Sequence, residues 1–104
     1  MRRGTTPTLT FTTPYAANLV DSGYITFDQR GATVLDVPLS DPSVTVSDNA
    51  ISITLTQAQT LAFDASAEPP IATAQIRAIL QSGKAVGSNI VTIPICKILK
   101  DGEI

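Results

Sequence analysis

The chain offers chemistry nine carboxylates, one thiol and a scatter of hydroxyls, with no histidine to serve as a base near neutral pH. The carboxylates come singly, at Asp21, Asp28, Asp36, Asp41, Asp48, Asp64, Glu68, Asp101 and Glu103. Paired acids would suit glycoside hydrolysis, in which one carboxyl donates a proton while the other attacks or activates water. No spacing here singles out such a pair. Most of the nine stand among turn-forming residues, where Asp bonds its own backbone, and Asp36 lies mid-strand as a solvent-facing charge. Asp41, Asp48 and Asn49 are the only oxygen donors close enough in sequence to suggest a calcium loop, and they fit no recognised ligand spacing. Zinc is served worse still, with Cys96 the only thiol.

Cys96 sits in the strand-like run Ile93-Pro94-Ile95-Cys96-Lys97-Ile98 and reads as a small buried apolar residue. Gly83-Lys84 lacks the earlier glycine and the following Ser or Thr of a phosphate loop. Serines abound, but nothing is available to activate one. The residues therefore predict no enzyme, no catalytic or cofactor-binding residue, no metal site and no small-molecule substrate.

The elements that would carry any site are short. At 104 residues the chain has the length of one domain, residues 1–104, and its hydrophobic fraction of 43% argues for a packed core. Charged residues make up only 15%, below the roughly 25% of ordinary globular chains. A surface so poor in charge suits a protein that rests against neighbours. The net charge of −2 and pI of 4.7 provide no basic field for nucleic acid. Phe11, Tyr15, Tyr24, Phe27 and Phe63 are dispersed, without the basic interleaving of a base-stacking platform. Arg2 and Arg3 are the only adjacent basic pair and read as a solvated tail. Met1 to Pro7 lacks the apolar stretch of a secretory signal, and no run approaches a membrane span. With one cysteine and no signal, the expected place of synthesis is a reducing cytoplasm.

Alternating Thr, Val and Ile runs broken by Gly, Pro, Asp and Asn predict strand after strand. Residues 8–13 turn Leu9 and Phe11 inward, and residues 15–18 form a loop or single helical turn leading to Leu19 and Val20. Residues 23–28 and 32–37 make a hairpin about Asp28-Gln29-Arg30-Gly31. Residues 43–46 and 50–55 make a second about Ser47-Asp48-Asn49. Thr56, with Gln59 three residues on, predicts a capping box opening one helical turn from Gln57 to Thr60, after which Leu61 and Phe63 plug the core. Residues 64–70 form a loop. Residues 72–80, where helix propensity competes, pair as a strand with residues 89–99 through Ser82-Gly83-Lys84. Pro94 belongs at a sheet edge or bulge, Gly87 at a bulge, and residues 100–104 fray. The expected fold is all-β, an antiparallel sandwich of immunoglobulin-like kind with about seven strands.

One resemblance goes further. The opening Met-Arg-Arg-Gly-Thr-Thr-Pro-Thr-Leu-Thr-Phe, the stretch from Leu55-Thr56-Gln57 to Thr60-Leu61-Ala62-Phe63, and the Gln75-Ile76-Arg77 strand together resemble a family of small proteins encoded in phages and prophages of Gram-positive gut bacteria. The resemblance implies a virion, tail or baseplate-type structural protein that contacts other phage structural proteins or itself, and it carries over no functional residue. Residues 4–13, uncharged and Thr-rich, are the expected edge or exchanged arm, against the plainer expectation that they pair within their own domain. The competing function is a carbohydrate- or ligand-binding β-sandwich, for which Tyr15 and Tyr24 are the only aromatic supply.

Overall fold

The computed structural model describes residues 1–104. Eight strands form two antiparallel sheets. The smaller has the order β1-β5-β4, with β1 at Thr8–Thr12, β4 at Val44–Val46 and β5 at Ala50–Thr54. The larger runs β3-β2-β6, with β2 at Val20–Gln29, β3 at Ala32–Pro38 and β6 at Ile71–Leu80. Along the far side of β6 lie two short strands in succession, β7 (Ala85–Gly87) and β8 (Val91–Pro94).

Those two account for the eighth strand. The long run expected after Ser82-Gly83-Lys84 is interrupted at Ser88, whose hydroxyl accepts from the Ile76 amide at 2.9 Å while its own amide donates to Ile76 O at 2.8 Å. The Ser88 side chain thus replaces a ladder partner, Gly87 closes β7 beside it, and Ile90 turns outward to 65% exposure. Pro94 ends β8 at the sheet edge, where its missing amide costs no ladder bond.

The three hairpins lie where their turn residues put them. Arg30 (φ 57°) and Gly31 (φ 77°) both adopt left-handed backbone in a two-residue β2–β3 loop, the geometry that matches strand twist. The β4–β5 turn uses residues 47–49, and Gly83 (φ 88°) supports the β6–β7 turn. The run 71–80 is strand, as its paired neighbours on both sides require.

Alternation sends Phe11, Ile51 and Ile53 from one sheet and Ile25, Phe27, Ala72, Ala74, Ile76 and Ile93 from the other into a shared core. Phe27 is its hub. Its ring meets Phe11 edge-on at 6.5 Å and Phe63 at 6.0 Å, joining both sheets to the segment after the helical turn.

That turn is α1, Gln57–Leu61, and the capping box is formed: Gln59 N donates to Thr56 Oγ1 at 3.1 Å, and Thr56 N donates to Gln59 Oε1 at 2.9 Å. A 3-10 turn spans Ala17–Leu19. Phe63 plugs the core as expected, but Leu61 is only half-buried. Thr60 is buried in its stead, its hydroxyl within 3.0 Å of Thr5 O and 3.1 Å of Gln57 O. Residues 100–104 are tied back and not frayed, with Ile104 N donating to Gln57 Oε1 at 2.8 Å and Asp101 paired to Arg3 at 3.2 Å. No helix is long and apolar enough to cross a membrane.

Candidate interaction surface

The groups with chemical potential are dispersed over the fold. Asp41 opens the approach to β4, where its carboxylate accepts the Ser43 hydroxyl at 2.6 Å and the Ser43 amide at 3.0 Å. Asp64 repeats the arrangement with Ser66, at 2.6 and 2.8 Å, and pairs with Arg30 at 3.0 Å. These hydrogen bonds favour the ionised form and hold both carboxyls below the ordinary carboxylate range. Asp48 and Asn49 lie in the turn beyond β4, their carbonyls accepting from Ala17 N and Thr13 N, so Asp41 and Asp48 stand at opposite ends of that strand. No three Cys, Asp or Glu side chains converge. Asp36 is exposed on β3 and accepts the Thr26 hydroxyl at 2.8 Å.

The two tyrosines part company. Tyr24 stands 53% exposed beside a groove of about 500 Å³ that also takes in Asn18, Asp21, Ser40 and Val46. Tyr15 is not on that groove. Its hydroxyl is buried without a hydrogen-bond partner, and burial pushes its pKa up. Cys96 is half-buried, more open than its apolar run suggested, because the chain there is paired with residues 1–3 and not enclosed in the core.

Residues 1–3 are not the solvated tail that two adjacent arginines suggested. Arg2 bridges to Cys96 in parallel, with Cys96 N donating to Met1 O at 2.8 Å and Arg3 N to Cys96 O at 3.2 Å. The Arg3 guanidinium donates to Phe63 O at 2.7 Å, to Leu61 O at 3.0 Å and to Asp101 at 3.2 Å. The carbonyls at the end of a helix lack intrahelical donors, and the planar fork of Arg supplies several at once. Sequence spacing gave no sign of this, since Leu61 O and Phe63 O are main-chain atoms about sixty positions away and Asp101 lies 98 positions away. Gln29 is a second residue of the kind. Its buried amide exchanges two hydrogen bonds with the Asp64 backbone, at 2.7 and 2.8 Å, as a strand partner would.

What remains for interaction is the set of sheet edges. β3 carries a bulge at Val34, the charge of Asp36 and the amide-less Pro38. β4 and β7 have three residues each, and β8 ends at Pro94, whose carbonyl is taken by the Met1 amine. Each of these devices discourages strand addition. β1 has none of them: it is five residues long, uncharged, free of proline and in unbroken register with β5.

Its backbone directions follow from the flanking bonds. Leu55 N donates to Pro7 O at 3.0 Å and Thr13 N to Asn49 O at 2.8 Å, so alternation turns the backbone groups of Leu9 and Phe11 toward β5. Those of Thr8, Thr10 and Thr12 point away from it. The same threonines carry a hydroxyl ladder on the outer face, Thr8 to Thr54 and Thr10 to Ser52, both at 2.9 Å. Beside β1 runs a groove of about 440 Å³ whose other wall is Ser88, Asn89, Val91 and Ile93.

No protein-family model, curated protein or solved structure matches this chain. The residues quoted for the phage-type resemblance lie on β1 and the segment leading into it, on α1 with its flanks, and on β6. They build the scaffold and the edge, and Thr8 to Phe11 form one wall of the groove beside β1.

Proposed function

We propose that this chain is a non-enzymatic structural or assembly module of phage or prophage type, acting through protein–protein contacts with itself or with other phage structural proteins. The observation that carries the reading is the unprotected β1 edge: of the strands that border a sheet, only this one keeps a full-length, uncharged row of unpaired amides and carbonyls. Soluble proteins that work alone blunt such edges, because any extended segment can add to them. Facing sheets around a common core support an immunoglobulin-like sandwich as the frame. The phage assignment rests on the resemblance of the Met1 to Phe11 opening and the Leu55 to Phe63 stretch. It implies synthesis in a bacterial cytoplasm and residence in the virion once assembled.

The carbohydrate-binding alternative keeps a single groove tyrosine, Tyr24, since Tyr15 is turned inward. One exposed ring is a thin platform for a sugar.

Sedimentation of the purified chain over a wide concentration range tests the assembly reading. Discrete species larger than 10.9 kDa should appear as concentration rises. A strict monomer throughout overturns association with itself.

A further inference from the structure

Resting on that assembly reading, we infer that β1 pairs antiparallel with β1 of a second copy across a two-fold axis at Thr10, so that two small sheets become one continuous sheet. The argument begins with the backbone. Thr8, Thr10 and Thr12 present their amides and carbonyls to the open side, spaced two residues apart as one edge of an antiparallel ladder requires. Placed against itself with Thr10 opposite Thr10 of the partner subunit, the row is self-complementary. Thr8 meets Thr12 of the partner subunit and the reverse, and every outward N–H finds a carbonyl. Such an interface uses the same patch twice and closes on itself.

Charge favours a second copy over a foreign segment. A two-fold axis sets each side chain near its own kind, so a charged edge would repel itself. On β3 the same operation would bring Asp36 toward Asp36 of the partner subunit. Residues 4–13 carry no charge at all, and the opposite wall of the groove, Ser88, Asn89, Val91 and Ile93, is equally neutral. Nothing there selects a charged peptide. The side chains fit as well: threonines pair across strands on the outer face, while half-buried Leu9 lines the groove, where a neighbouring strand would cover it.

Thr10 is the one position that meets itself, and this makes the test specific. Thr10→Lys and Thr10→Glu are each made, and sedimentation equilibrium is run on each alone and on an equal mixture. Circular dichroism checks that each variant is folded. Each variant alone should weaken self-association by about tenfold or more relative to wild type, and the mixture should restore it. Unchanged association of either variant alone, or no recovery on mixing, overturns the pairing.

Amide exchange on the wild-type chain provides a readout that needs no variant to fold. The Thr8, Thr10 and Thr12 amides should gain protection as concentration rises, while those of Leu9 and Phe11 are protected throughout. Absence of that gain in an associating sample overturns the pairing and leaves the assembly reading standing. A chain that stays monomeric removes both the pairing and self-association.

Discussion

Asp41 and Asp64 do the same work at different ends of the molecule, each gripping the serine two residues ahead through its hydroxyl and its amide. Both carboxyls are held below the ordinary range, chiefly by the serine hydroxyl and then by the serine amide. The unfolded chain, lacking those donors, takes up protons at the ordinary carboxylate pKa of about 4. Protons therefore bind the unfolded state more readily, and the stabilisation is complete above that pKa and lost as pH falls through the lowered folded values. Urea unfolding followed into acid should show stability falling there, and the Asp41→Asn, Asp64→Asn double variant should flatten that fall. These turn roles were legible, because an Asp two positions before a Ser carries its partner in the sequence. Arg3 and Gln29 were not, because what they bond is backbone brought near only by the finished fold.

At the level of elements, local signals were read where the deciding residues are neighbours. The Thr56–Gln59 capping box, the Arg30-Gly31 turn and the Gly83 turn all appear in place. The break between β7 and β8 had no such signal, since it is made by the Ser88 side chain reaching Ile76 on the adjacent strand. Gly23 shows how tightly strands can depend on one another. A Cβ there would stand 2.5 Å from Arg77 O and 2.9 Å from Ala78 Cα, both backbone atoms of β6 that cannot turn aside. Gly23→Ala should accordingly destabilise the chain by about 1–3 kcal/mol in urea titrations. Gly87→Ala, where the nearest atom would lie at 3.8 Å, should stay within about 0.5 kcal/mol of wild type. A matching loss at both would refute the close-approach account.

For the whole molecule, alternation predicted two apolar faces and hence two sheets, but which strands end up on the outside depends on topology. That β1 is left open while β3, β4, β7 and β8 are blunted can be seen only once the strand order is known. Assembly through β1 has a measurable signature in salt. An interface without charges gives ionic screening nothing to act upon. The self-association constant should therefore hold steady within about a factor of two between low and physiological ionic strength. A steep salt dependence would point to contacts through the charged residues elsewhere. The Arg3 clamp bears on how partners could join. β1 leaves residues 1–3 only a few positions after Arg3 is fastened to Leu61, Phe63 and Asp101, and Phe11 is locked against Phe27. To trade this segment between molecules, each subunit would first have to release its own anchor and open its own interior. Adding a neighbour alongside disturbs neither, so these subunits should come together and separate reversibly, already folded, with no unfolding step to slow the exchange.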